Sequence, residues 1–342
     1  MSTLERYSRQ MLFKPIGTEG QTKISQARVV IVGMGALGTV IANHLVRAGV
    51  GYVRMIDRDI VELSNLQRQV LYTEEDASAN LPKVVAAEKR LKAINSTVII
   101  DPILSDLNLD NAEEYFRGFD VIVDGTDNFM TRYLINDVAI KLGIPWVYGG
   151  AVSSRGMFAT FIPGKTPCYR CLFPDVPAGL GETCDTIGVL SPITDIIGSF
   201  EAIEVLKLLV GADSNPNLEQ FDIWTNSFFQ MDISNGHNLS CPACVNHEFE
   251  FLDRSSSKQI AYTSLCGRNT VQINPRIKQP IDFQQTADRL KTSGKVEMNP
   301  YMLRFSPSEE ITMVFFKDGR VLIHGLNDLV QAKNYYSKYI GT

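Results

Sequence analysis

Three groups of residues in this sequence have the types and spacing to do chemistry. The first is Gly33-Met-Gly-Ala-Leu-Gly38, a glycine loop between an apolar run over 28–32 and a helical pattern that begins near Ala36. Backbone amides at such a strand-to-helix turn favour an anion, and Asp57, at the end of the next strand, is placed to take ribose hydroxyls. The second is a polar set made of Ser64-Asn-Leu-Gln-Arg-Gln69, Lys83 and Asp124-Gly-Thr-Asp-Asn128. The third is cysteine: Cys168-Tyr-Arg-Cys171 and Cys241-Pro-Ala-Cys244 are two Cys-x-x-Cys knuckles. Each knuckle lets two thiolates reach one ion, so the pair supplies the four ligands of a structural zinc site, with a redox dithiol as the competing account. Cys184 stands apart in Glu182-Thr-Cys-Asp185, inside a stretch over 173–188 rich in glycine and proline that reads as a long loop.

The elements that must position these groups follow from periodicity. Short β-branched runs at 28–32, 52–57, 97–100, 120–124 and 145–149 alternate with helical patterns at 36–48, 83–93 and 129–142. This alternation predicts a Rossmann-like, mostly parallel central sheet flanked by helices. Strands at 157–162 and 220–224 and a helix at about 194–210 extend it, and a zinc ion would staple this second half together. In a parallel sheet the glycine loop, Asp57, Arg68, Lys83 and Asp127 all approach the carboxyl edge, where ligands bind in open α/β folds. Arg68 and Lys83 bring two cations, more than a ribose and a pyrophosphate bridge need but suited to a triphosphate. Asp127 is a hard-oxygen ligand of the kind that Mg²⁺ prefers. The set describes MgATP better than NAD, although the glycines alone leave an NAD-dependent oxidoreductase open. The four histidines, His44, His237, His247 and His324, offer no evident hydride chemistry. A zinc-stabilised nucleotide-binding module without activity is a third reading, in which Arg68 and Lys83 are surface charges and Asp127 caps a helix.

The 342 residues, 44% hydrophobic and 21% charged with a formal charge of −5, fit one large domain and a small one. Charges are interspersed, so neither nucleic acid nor an anionic membrane is the expected partner. The uncharged run over 29–46 is broken by Gly33, Gly35 and Gly38 and reads as strand, turn and helix. The N-terminus has no apolar signal-peptide core, so a cytoplasmic location is expected. After Cys244, 254–258 reads as a linker and 255–342 as a small α+β unit. That unit holds a hairpin with Lys317-Asp-Gly-Arg320 at its turn and a helix over 326–339.

These motifs, taken in order, resemble the ThiF/MoeB adenylyltransferases, relatives of the ubiquitin-activating enzymes. The resemblance covers roughly residues 5 to 250. It is carried by Arg6-Tyr-Ser-Arg-Gln10, Gly33-x-Gly-x-x-Gly38, Asp57-Arg-Asp59, Ser64-Asn-Leu-Gln-Arg-Gln69, Pro82-Lys83, Thr126-Asp-Asn128, both cysteine knuckles and Thr183-Cys184. It implies an adenylation domain over 1–250 with an ATP site and a zinc site. The implied reaction joins ATP to the C-terminal glycine carboxylate of a ubiquitin-like sulfur carrier of the ThiS or MoaD type, ending in Gly-Gly. An acyl-adenylate and pyrophosphate would result, serving thiamine or molybdopterin biosynthesis. By matching position, Asp57 holds the ribose, Asn65, Arg68 and Lys83 the phosphates, and Asp127 the Mg²⁺. Arg9 reaches the ATP phosphates of a partner subunit in a homodimer, and Cys184 lies in a crossover loop where some members bond covalently to the carrier. The unit over 255–342 departs from shorter members. Ser264-Leu-Cys-Gly-Arg268 superficially resembles a rhodanese loop, but it lies too near the start of too short a unit. An accessory domain that docks a carrier or sulfur donor is the expectation.

Overall fold

A computed structural model describes residues 5–174, 187–253, 262–265 (backbone only), 269–274 and 280–340. Cys184, Cys266 and the linker lie outside the described residues. The chain divides into two units, Met1–Arg254 and Ser255–Thr342.

The first unit is built on an eight-stranded sheet of β1 (Arg28–Val32), β2 (Tyr52–Asp57), β3 (Ile99–Leu104), β4 (Val121–Asp124), β5 (Trp146–Val152), β6 (Arg155–Phe161), β7 (Asn217–Asp222) and β8 (Ser227–Asp232), in the order β3-β2-β1-β4-β5-β6-β7-β8. From β3 through β5 every pairing is parallel; beyond β5 every pairing is antiparallel. The inner strands are continuous apolar runs because both faces are covered, and alternate residues serve opposite cores. Val29 and Ile31 pack with Ile41, Val84 and Ile197 on one face; Val30 and Val32 pack with Phe116, Ile135 and Tyr133 on the other. The covering helices are α1 (Gly17–Gln26), α2 (Ala36–Ala48), α3 (Lys83–Ile94), α4 (Phe129–Leu142) and α5 (Ser191–Val210). None of the described helices is long and apolar enough to cross a membrane.

Where the elements differ from the sequence reading, side chains explain it. The strand expected at 97 starts at Ile99, because buried Asn95 takes the Thr97 N–H at 3.3 Å and its hydroxyl at 2.8 Å, holding a turn. The same strand runs on through Pro102, which the sheet tolerates because β3 is an edge. The strand expected to reach Trp224 ends at Asp222, whose Oδ1 accepts the N–H groups of Trp224 and Thr225 and turns the chain into β8.

The second unit is a six-stranded antiparallel sheet of β9 (Tyr262–Leu265), β10 (Thr270–Ile273), β11 (Lys295–Met298), β12 (Met302–Ser306), β13 (Thr312–Phe316) and β14 (Val321–His324), in the order β11-β12-β13-β14-β10-β9. Helices α6 (Phe283–Leu290) and α7 (Leu329–Tyr339) share its core. The hairpin between β13 and β14 turns at Gly319, φ +90°. Helix α7 begins three residues later than 326, because the Asp328 carboxylate accepts from Val330 and Gln331 and caps it there.

One buried acid in the first unit has a testable consequence. Glu201 on α5 is fully buried against the backbone of Gly149, and neither carboxyl oxygen has a hydrogen-bond partner among the described residues. Burial, aided by the charge of Asp124, pushes its pKa well above the usual carboxylate range. An acid whose folded pKa is raised contributes fully below its unfolded value, near pH 4–5, and costs stability as pH climbs towards the folded value. Glu201→Gln is therefore expected to raise the melting temperature at pH 8 and to leave it unchanged at pH 4; an equal shift at both would contradict the account.

Candidate nucleotide edge and cysteine centre

The glycine loop leaves β1 at Gly33, whose N–H donates to Ile56 O at 2.8 Å across to β2. Gly33 has φ +89°, and a Cβ there would lie 2.6 Å from Gly125 O; a Cβ on Gly125 would lie 2.6 Å from Gly33 O, and one on Gly38 would collide with Gly33 O. The loops after β1 and β4 thus interlock backbone against backbone, which only glycine permits. Gly35 behaves differently: a Cβ there would meet nothing nearer than Gln69 Nε2 at 4.0 Å. That face is open, at the uncapped start of the thirteen-residue helix α2, where amides and dipole favour an anion.

Asp57 braces the loop. Its Oδ2 accepts from Met34 N at 2.6 Å and its Oδ1 from Asp59 N at 2.6 Å. Burial raises its pKa, against the opposing pull of Lys83. Tyr72, which the sequence reading left aside, donates its hydroxyl to Met34 O at 2.7 Å and holds the loop from the other side. Lys83, at the start of α3, is 3% exposed, so it is no surface charge. Its ammonium lies 3.2 Å from Asp59 Oδ2 and its N–H donates to Asp59 O at 3.0 Å. Arg58 adds a cation that motif reading did not single out. It bonds Asp106 at 2.8 Å and approaches Asp59 at 3.8 Å. Burial works against its charge, but the carboxylates of Asp106, Asp59 and Asp127 outweigh that and raise its pKa. Asp106 follows β3 and belongs to no motif, so only the fold brings it here.

Asn65 is buried and accepts from Glu62 N at 3.2 Å. Gln69, also buried, keeps Oε1 without a partner among the described residues, and its Nε2 end faces open Gly35. Arg68 is partly exposed and donates to Ser64 O at 3.0 Å. Asp127 is exposed in the loop after β4, and the cap of α4 is its neighbour: Asn128 Oδ1 accepts from Met130 and Thr131. The capping account of Asp127 is thereby corrected. Arg9 is exposed on the short helix Ser8–Met11 and makes no hydrogen bond or ion pair among the described residues. Tyr7, which is buried, and half-buried Gln10, bonded to Gln21 and Ala48 O, hold that helix down. Leu12 and Phe13 project from it, 72% and 59% exposed.

Cys168, Cys171, Cys241 and Cys244 converge, with all four sulfurs within 4.8 Å of one another. Sulfur separations of 3.8 Å (168–171), 3.7 Å (168–241) and 3.4 Å (171–244) rule out a disulfide, which needs about 2.05 Å. They approach the edge of about 3.8 Å that a tetrahedron of ~2.3 Å Zn–S bonds requires. The donor set fits zinc. The Cys168 thiol donates to Cys171, which draws Cys171 down to about 4 and pushes Cys168 up. Around the centre, Arg170 pairs with Glu250, Phe251 N donates to Asp137 at 3.0 Å, and Phe251 stacks on Tyr133 at 4.9 Å. Metal binding releases thiol protons and couples to folding. Metal analysis is expected to find one bound zinc per chain, and Cys241→Ser to lose it with a fall in melting temperature of roughly 5–10 °C. An unchanged melt after full metal removal would refute this.

A model of the ThiF family matches residues 7–243. The sulfur carrier protein ThiS adenylyltransferase of Bacillus subtilis is 47% identical over 337 residues, 98% of this chain and 99% of that one, so the similarity runs through the second unit too. The sulfur carrier protein adenylyltransferase of Thermus thermophilus is 39% identical over 77% of this chain and 97% of its own length. Among solved structures, E. coli MccB with ATP superposes with a TM-score of 0.60 at 22% identity, over 70% of this chain and 74% of that one, a likeness of fold.

Proposed function

The chain belongs to the ThiF family and is an adenylyltransferase, and from that premise we propose that it adenylates the C-terminal glycine carboxylate of a ubiquitin-like sulfur carrier of the ThiS type, ending in Gly-Gly. Membership in this family removes the dehydrogenase alternative. The observation that carries the proposal is the meeting, at one sheet edge, of an open glycine loop, a buried lysine, an orphaned glutamine oxygen and an exposed aspartate. The relative from Bacillus subtilis, named for ThiS, supports a ThiS-type carrier, and with it thiamine rather than molybdopterin as the proposed pathway.

In this reading the glycine-loop amides and the start of α2 take ATP phosphate oxygens, Asp57 takes the ribose, and Asn65, Arg68 and Lys83 hold the triphosphate. Asp127 would hold Mg²⁺, which neutralises phosphate charge when bound. The carrier carboxylate is already ionised, so no base is needed. One of its oxygens attacks the α-phosphorus, that P–O bond forms, and the bond to the bridging oxygen breaks as pyrophosphate leaves with the electron pair. Cations at the phosphates lower repulsion and stabilise the developing charge. Lys83 exchanges its carboxylate partner Asp59 for a phosphate. Arg9, held outward beside Leu12 and Phe13, acts in the site of a second subunit, so the working unit is a homodimer. Zinc at the four cysteines is structural, Cys184 is the residue for any covalent carrier adduct, and the second unit docks a carrier or sulfur donor.

Pyrophosphate release from MgATP with each candidate carrier is the test. A ThiS-type carrier is expected to support it and a carrier without Gly-Gly not to; release independent of the carrier tail would reject the proposal. Lys83→Ala is expected to lower kcat/KM by about 100-fold or more. If Arg9 acts across the dimer, mixing inactive Arg9→Ala and Lys83→Ala proteins should restore about one quarter of wild-type activity, since half of the dimers would carry one intact site. No recovery after demonstrated subunit exchange would place Arg9 in its own subunit's site.

A further inference from the structure

Behind the nucleotide edge lies a buried ion pair to which no role has been given. Arg132, one turn into α4, is 5% exposed, and Asp124, the last residue of β4, is fully buried. The Arg132 Nε donates to Asp124 Oδ2 at 2.8 Å, and its Nη2 donates to Thr126 O at 2.7 Å and to Gly149 O at 3.0 Å. The other carboxylate oxygen of Asp124 accepts from Thr126 N at 2.9 Å and from the Thr126 hydroxyl at 2.6 Å. The guanidinium also lies over the rings of Tyr148 and Phe129, at 5.0 and 5.4 Å. One side chain thus ties together the end of β4, the middle of β5 and both sides of Thr126.

The segment so held is the loop Gly125–Asn128. It locks onto the glycine loop through Gly125 and presents Asp127. A buried ion pair is a poor device for stability alone, because the desolvation of two charges offsets much of their attraction. What this pair supplies is direction. The planar guanidinium reaches three oxygens on two strands and a loop, which a lysine ammonium cannot reproduce.

We propose that Arg132, acting through Asp124 and Thr126, is a positioning residue that fixes Asp127 relative to the glycine loop, so that Asp127 would hold a divalent cation when nucleotide is bound. The proposal rests on the function put forward above, in that Asp127 is taken as the cation ligand. Residues that orient a metal ligand typically change metal affinity by about 10- to 100-fold when replaced. The glycine loop, braced independently by Asp57 and Tyr72, keeps its own grip on phosphate.

The test is calorimetric titration of ATP into the full-length protein, in EDTA and across a range of Mg²⁺ concentrations, for wild type, Arg132→Lys and Thr126→Val. Thr126→Val removes one hydroxyl from a partly exposed position and covers the case in which Arg132→Lys does not fold. In both variants ATP binding in EDTA is expected to match wild type, while the Mg²⁺ concentration that gives half of the cation-dependent tightening rises about 10-fold. Excess Mg²⁺ should restore pyrophosphate release. An unchanged Mg²⁺ midpoint in Thr126→Val overturns the positioning role, as does a loss of binding in EDTA that keeps step with the loss in Mg²⁺, which marks a merely structural pair. Wild-type protein without carrier-dependent pyrophosphate release rejects the underlying function instead, and the positioning role falls with it.

Discussion

The interlock of two backbone loops is the constraint on which the rest of the first unit depends. Gly33, Gly38 and Gly125 pack so closely that a single added methyl on any of them would meet a carbonyl oxygen of these loops. Because the loop after β1 and the loop after β4 touch in this way, the strand order must put β1 beside β4, as the sheet does. The sheet changes winding direction at that place, and in open α/β folds ligands bind there, outside the strands' carboxyl ends. Backbone amides, the start of α2 and the residues after β2 and β4 are thereby gathered at one edge.

Charge at this edge is arranged in pairs. Lys83 leans on Asp59, and Arg58 on Asp106 and Asp59, so both of these cations are matched by carboxylates. Under the proposed function, a polyphosphate would offer each of them a charge-assisted acceptor in place of its carboxylate. Partner exchange of this kind avoids stranding a buried charge in either state, which is the costly alternative.

Much of this was legible in the sequence, and the reasons differ by residue. The apolar runs read at 28–32 and 120–124 and the helical spacing at 36–48 and 129–142 report burial directly, so β1, α2 and α4 fall where periodicity puts them and β4 starts one residue later, at Val121. The cysteine knuckles were legible because ligand spacing is itself the signal, and the convergence of all four sulfurs follows. Strand β3 starts late because the Asn95 side chain holds a turn at Thr97, and it runs on through Pro102 because it is an edge. Strand β8 escaped notice because all six of its residues are exposed, so no alternation of burial marks it. Tyr72 and Asp106 contribute through contacts with Met34 O and Arg58, separated by 38 and 48 residues, which no local pattern encodes.

The cysteine centre has a consequence for the order in which the chain acquires structure. Cys168 and Cys241 meet across 73 residues, whereas every parallel strand of the sheet lies before residue 153. Synthesis proceeds from the N-terminus and domains tend to fold as they emerge. A nascent chain that ends at α5 therefore carries the complete parallel half of the sheet and both interlocking loops, yet holds only two of the four thiols. The four-sulfur cluster cannot form until the second knuckle has been made, and the last antiparallel strands, β7 and β8, are added in that interval.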